Sequence, residues 1–200
     1  MRREKAQSSE IRLRLLDCGV RLIQKNGFHA TGVKDLVDAA GIPKGSFYYY
    51  FPSKEAFVAE AVLHYIHPFL EKLETIAANK PGRAIDALND YFHGLTLEFE
   101  NNLSAGGCLL GNLLGEIGDT SEVALDALGS AVTAYTETLC QLLVRAQEEG
   151  DIRTDIDAFE LAGLLFDAWQ GAILRMRVNR SVQPLRQFLD STLSGLFLSR

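Results

Sequence analysis

The chain predicts an all-α fold of about nine helices. Apolar residues recur at helical spacing through its 200 residues, glycine and proline fall between the periodic segments, and nothing reads as a strand. Hydrophobic residues make up 47% of the chain. That is enough for a packed core in one domain, or in a small domain joined to a larger one.

Taken in order, Ile11, Leu15, Cys18 and Leu22 mark one face of a first helix that stops near Asn26-Gly27. Thr31 is the expected N-cap of a second helix carrying Val33, Leu36 and Val37 inward. Gly41 ends it, and Pro43 suits the first turn of a third. Ser53 is placed to cap a fourth helix over 54–78, with Glu55 favourable to its dipole. Pro81 opens a fifth helix, and a Ser-Ala-Gly-Gly break precedes Cys108 and a short sixth. Asp119 with Glu122, and Asp157 with Glu160, have capping-box spacing for the seventh and eighth, and Pro184 starts the ninth.

No window approaches the run of roughly 18 apolar residues that a membrane span needs. The first ten residues lack the apolar stretch of a signal peptide. A cytoplasmic protein without a membrane partner is therefore expected. Three cysteines, Cys18, Cys108 and Cys140, cannot all pair within one chain, and no Cys-x-x-Cys is present. Neither a disulfide scaffold nor a zinc ribbon is indicated.

The net charge of −6 hides a split. Residues 1–54 carry ten basic against five acidic side chains, and the remainder ten against 21. A basic head on an acidic body suits nucleic-acid contact at one end. The head also holds the most informative segment, Thr31 to Lys54: two short helices joined by a glycine turn, the second beginning Pro-Lys-Gly-Ser and dense in tyrosine. Phe47 and Phe51 are four apart and face inward, while Gly45, Ser46, Tyr48 and Tyr49 lie largely away from them. Lys44, Gly45 and Ser46, at the start of the second helix, are placed to read base edges. Tyrosine hydroxyls and Lys54 suit phosphate oxygens, which position without reading sequence.

This segment closely resembles the N-terminal domain of TetR-family transcriptional regulators. The resemblance rests on Gly27-Phe28, on Thr31-x-Val33-x-x-Leu36-x-x-x-Ala40-Gly41-Ile42, and on Gly45-x-Phe47-Tyr48-x-Tyr50-Phe51-x-x-Lys54. It implies a homodimeric all-helical repressor that binds a palindromic double-stranded operator and answers to a small-molecule effector. By position, Thr31, Lys34, Tyr48, Tyr49, Tyr50 and Lys54 would meet the DNA backbone, and Lys44, Gly45 and Ser46 the bases. Gly32 departs from the hydroxyl residue usual in the family, so a phosphate contact there is lost or made by backbone. The implied organisation is a helix-turn-helix domain over 1–54, a connecting helix over 54–78, and a ligand-binding and dimerisation domain over 55–200.

In the acidic body, Cys108 follows a glycine pair and stands at a helix N-terminus, where free N–H groups favour a thiolate. An adduct there would add bulk to a bistable element. The stretch Gly107-Cys108-Leu109-x-x-x-Leu113-x-x-Glu116 is similar to the C-terminal domain of the repressors of N-ethylmaleimide reductase and their relatives. That group includes sensors of electrophiles and of small acyl or unsaturated-acid metabolites. Cys108, Asn112 and Trp169 are the candidate effector contacts, and the effector is either an electrophile reacting at Cys108 or a reversibly bound acyl compound or organic acid. Glu116 is a further candidate for the cavity lining.

The eighth helix is apolar around much of its circumference, with stripes through Leu161, Leu164, Leu165, Ala168, Ala172 and Met176 and through Phe159, Ala162, Phe166, Trp169 and Ile173. With the ninth helix it suits a four-helix dimer interface, which would set two readers about 34 Å apart. Glu60, His64, His67 and Glu71 share one face of the fourth helix, although Pro68 disturbs it and charged stripes are usually solvated. No metal and no cofactor are assigned. The sequence lacks His-Glu-x-x-His, Gly-x-Ser-x-Gly, a phosphate loop and a dinucleotide fingerprint. No catalytic residue is assigned, and an all-α enzyme or an interaction adaptor is the competing class.

Overall fold

The computed structural model describes residues 2–78, 82–103, 106–117 and 121–196. Among them are nine α-helices and no strand. They are α1 (Arg2–Asn26), α2 (Val33–Ala40), α3 (Phe47–Tyr50), α4 (Lys54–Ala78), α5 (Ala84–Asn101), α6 (Leu109–Leu114), α7 (Glu122–Glu148), α8 (Ala158–Asn179) and α9 (Gln183–Gln187). A 3-10 turn over Lys44–Ser46 leads into α3, and a π-helical segment over Phe188–Leu196 continues α9. The expected fold class is the observed one.

The chain divides into two compact units: Met1–Ile66 with Cys108–Ala131, and His67–Gly107 with Val132–Arg200. The first is organised around aromatic rings. Phe47, Phe51 and Phe57 are completely buried, with Phe51 and Phe57 edge to face at 4.9 Å and Phe47 5.7 Å from each. Burying such side chains stabilises the fold by about 1.5–3 kcal/mol each. Gly19 on α1 gives this cage its room, because a Cβ there would lie 2.2 Å from the Phe57 ring.

The second unit packs α5, α7 and α8 with the C-terminal helix. Trp169 sits among Phe92, Phe188 and Phe99 at centroid distances of 5.1, 5.0 and 6.4 Å. Buried polar contacts interrupt this apolar core, among them the one between the Tyr91 and Tyr135 hydroxyls at 3.0 Å and that from the Thr96 hydroxyl to the Phe92 carbonyl at 2.9 Å. The Asp157 carboxylate caps α8 by accepting the Phe159 N–H at 2.8 Å, as its position implied.

Two local expectations are revised. Thr31 does not cap α2. Its side chain is fully buried and its hydroxyl donates to the Gly27 carbonyl at 2.7 Å. Gly32 takes the cap position, and its N–H donates to the Asp35 carboxylate at 2.8 Å. Pro43 precedes the reader rather than entering its first turn: it is extended, and the Ser46 N–H reaches back to its carbonyl at 2.9 Å in a 3-10 bond. For α7, the Ser121 hydroxyl accepts the Ala124 N–H at 3.3 Å. Pro81 and Asp119 lie outside the described residues.

Candidate nucleic-acid interface

The turn between α2 and the reader is built by Gly41, which adopts the left-handed conformation at φ 64° and returns its N–H to the Asp38 carbonyl. The chain then passes through the 3-10 turn into α3, whose placement follows from the burial of Phe47 and Phe51. With those two rings fixed, the opposite face is left to solvent. Tyr48 and Tyr49 are 63% and 77% exposed, far more than aromatic side chains with a place in the core. Lys44 and Gly45 are exposed and Ser46 is half-buried. A Cβ at Gly45 would meet nothing within 4 Å, so the backbone there is open to close approach.

Lys34 is exposed on α2, and Tyr50 is half-buried with its ring edge to face against Tyr49 at 5.0 Å. Lys44, Gly45, Tyr48 and Tyr49 thus form one continuous solvent-facing stretch. Thr31 and Lys54 are engaged differently. Thr31 is interior, and the Lys54 ammonium donates to the Phe28 carbonyl at 2.6 Å while lying 4.0 Å from the Phe28 ring. Burial lowers the Lys54 pKa, against the opposing pull of Glu55, Glu116 and Asp35. The Gly32 N–H, a possible backbone donor to phosphate, is taken by Asp35.

The candidate effector residues fall in both units. Cys108 stands at the N-cap of α6 and is 8% exposed. Asn112, on α6, donates its side-chain amide to the Gln24 carbonyl at 3.0 Å. Trp169 belongs to the aromatic cluster of the second unit and is 3% exposed. Glu116, expected among cavity-lining residues, instead accepts the Phe28 N–H at 2.7 Å and the His29 N–H at 3.4 Å. Sequence reasoning had no signal for that contact, which joins residues 88 apart.

The charged stripe on α4 is accounted for by protein partners. Glu60 pairs with Arg12, His64 with Asp17 at 2.7 Å, and His67 with Glu71 at 3.4 Å. Among the described residues no group of three or more His, Cys, Asp or Glu side chains is placed to hold a metal ion. Among them, too, no helix is long and apolar enough to cross a membrane.

On α8, Leu161, Leu165, Trp169, Ala172 and Met176 are buried, whereas Leu164 is 52% and Val178 83% exposed. Leu164, Ala168, Gly171 and Val178 share one face of the helix. Beside that face runs a groove of about 490 Å³, lined in part by Ala168, Gly171, Arg175, Gln187, Ser191 and Thr192.

Comparison with known proteins agrees with the geometry of the head. Residues 15–61 match the family model for bacterial regulatory proteins of the tetR family, and residues 84–192 match the tetracyclin repressor-like C-terminal domain. The HTH-type transcriptional repressor DhaR of Mycobacterium sp. (strain GP1) is 31% identical over 189 residues, covering 94% of this chain and 93% of that protein. The HTH-type transcriptional repressor NemR of Escherichia coli (strain K12) is 29% identical over 180 residues, 90% of each chain. The crystal structure of the reduced form of E. coli NemR superposes with a TM-score of 0.85 at 27% identity, covering 96% of this chain and 98% of that one. With an exposed tyrosine-rich reader on a buried aromatic cage and both family domains matched, this chain belongs to the TetR family and is a DNA-binding transcriptional repressor, not an enzyme.

Proposed function

We propose that this repressor acts in the cytoplasm as a homodimer on a palindromic operator and leaves it when a small effector binds. The observation that carries the reading is the solvent-facing stretch Lys44–Tyr49, held by two fully buried phenylalanines and bearing a cation, an open glycine and three hydroxyls. Lys44, Gly45 and Ser46 meet base edges. Tyr48, Tyr49, Tyr50 and Lys34 grip phosphates, while Thr31 and Lys54 contribute by bracing the corner that carries α2. The exposed apolar face of α8 supports dimerisation, and the small residues Ala168 and Gly171 on it suit close helix approach.

The effector acts at Cys108. Its thiolate sulfur forms an S–C bond to the β-carbon of an electrophilic alkene, and the α-carbon takes a proton from water. The position of Cys108 at the cap of α6 supports this, as does the likeness to a repressor whose solved structure is of a reduced form. Release follows only if the adduct favours a spacing of the two readers that the operator does not. A second reading has a specific observation behind it. Cys108 is 8% exposed, which restricts its access to an electrophile, and the buried Trp169 cluster is an apolar interior suited to a reversibly bound acyl compound or organic acid.

Selection of bound DNA from a random pool, repeated after treatment with electrophiles and with organic acids, tests these readings together. An enriched palindrome is expected, with half-sites about one helical turn apart. Loss of binding after N-ethylmaleimide in the wild type but not in Cys108→Ser supports the covalent reading. Release of both proteins by an organic acid supports the reversible one. A pool without enrichment refutes operator binding itself.

A further inference from the structure

A helix leaves its last carbonyls, and the first N–H groups beyond it, without intrahelical partners. α1 ends at Asn26, and Gly27 turns the chain away at φ +89°. Had the helix continued, the Phe28 N–H would have bonded to the Gln24 carbonyl. Both halves of that broken pair are taken up by one distant segment. Asn112 donates to the Gln24 carbonyl at 3.0 Å, and the Glu116 carboxylate accepts the Phe28 N–H at 2.7 Å. Glu116 also reaches the His29 N–H at 3.4 Å, and its backbone carbonyl faces the His29 Nε2 at 3.1 Å.

The other end of the Phe28 residue is gripped as well. Its carbonyl accepts from the Lys54 ammonium at 2.6 Å and from the Thr31 N–H at 3.3 Å, while the Thr31 hydroxyl holds the Gly27 carbonyl. Gly27 also makes room for the carboxylate, since a Cβ there would lie 2.7 Å from the Glu116 Oε1. The chain leaves this corner directly into Gly32, the cap of α2, and α2 carries the turn to the reader. Bonds to an ionised carboxylate are short, directional and stronger than neutral ones.

We infer that Glu116 and Asn112 are positioning residues for DNA binding: from α6 they fix the 27–32 corner on which α2 and the reader are mounted. The inference rests on the reading that Lys44–Tyr49 binds DNA. It carries a sign of its own. Removing an acidic side chain from a DNA-binding head ordinarily tightens binding, because the phosphates are repelled less. Positioning predicts the reverse for Glu116→Ala.

The test uses the full-length protein and a duplex bearing the sequence that the wild type enriches from a random pool. Glu116→Ala is expected to weaken binding roughly tenfold, the equivalent of losing one bond to a charged group. Exchange of the Phe28 and His29 amides should quicken, with the molecular mass unchanged and the thermal midpoint lowered by about 3–6 °C. Glu116→Gln keeps an acceptor oxygen and should bind within about twofold of wild type. Asn112→Ala, which leaves every charge in place, should weaken binding by about threefold. The slope of log affinity against log salt should not change in any of them, because no phosphate contact is lost. If Glu116→Ala does not fold, Asn112→Ala carries the test. Binding by Glu116→Ala or by a folded Asn112→Ala equal to or tighter than wild type overturns the inference. Failure of the wild type to enrich any DNA overturns the underlying DNA reading instead.

Discussion

Gly19→Ala reverses an ordinary expectation. Alanine in place of glycine in a helix interior stabilises by about 1 kcal/mol. At position 19 the new Cβ would lie 2.2 Å from Phe57 Cζ, 2.7 Å from its Cε1 and 3.2 Å from a Leu36 methyl. Restoring a normal contact of about 3.5 Å requires the ring to retreat by about 1.3 Å. Phe57 has no exposed surface and is boxed by Phe51 at 4.9 Å and Phe47 at 5.7 Å. Overpacking of this kind costs about 1–3 kcal/mol. Set against the helix-propensity gain, the net loss reaches about 2 kcal/mol, or about 4–8 °C in a chain of this size. Any movement of Phe57 is passed to Phe47, on the inner side of the reader, so operator affinity should fall as well. Urea denaturation and fluorescence anisotropy with the selected duplex measure the two effects. A Gly19→Ala protein as stable as wild type, or more stable, would refute the reasoning by showing slack in the cage.

Two further perturbations separate the parts of the reader and the dimer face. Lys44→Ala should relax discrimination at one base position by about 1–3 kcal/mol, whereas Tyr48→Phe should weaken all sequences evenly by about 1 kcal/mol. Repeated selection from a random pool distinguishes them, and identical profiles would refute the division between reading and grip. Leu164→Arg combined with Gly171→Gln places a charge and bulk on the exposed face of α8, where Leu164 is 52% exposed and a Cβ at Gly171 meets nothing within 4 Å. Folding should be retained and sedimentation should report a monomer. A dimer of undiminished mass would locate the interface elsewhere.

What the sequence made legible divides by range. Periodicity and caps are local signals, and they gave the helices, the Gly41 turn and the Asp157 cap. Where two local rules competed, the residue's third-dimensional neighbour decided. Thr31 has the chemistry of a cap, yet its side chain is fully buried with its hydroxyl on the Gly27 carbonyl, and Gly32 at the cap keeps only the half of a capping box in which Asp35 accepts its N–H. On α8 hydrophobicity alone could not separate Leu164 from its neighbour Leu165, which is fully buried. Periodicity identifies an apolar face but not what covers it. Lys54 likewise matches the position of a phosphate contact, while its neighbour in space is the Phe28 carbonyl.

The corner at Phe28 is the extreme case, because its bonds to Glu116 and Asn112 cross 88 residues of sequence. Motif likeness drew attention to the segment from Cys108 to Glu116 as a sensor, on chemistry alone. Geometry gives the same segment a second property. Cys108 caps α6, Asn112 lies one turn further on, and Glu116 follows just past the helix end. The proposed point of chemical input and the two side chains that hold the corner therefore sit on one six-residue helix and its exit turn. A short helix has little internal compliance, so bulk added at its cap is more readily accommodated by shifting it than by bending it. The bonds exposed to such a shift are those to Gln24, Phe28 and His29. On this argument an adduct at Cys108 acts by shifting α6 and loosening those bonds. Glu116→Ala should then blunt the response to an electrophile.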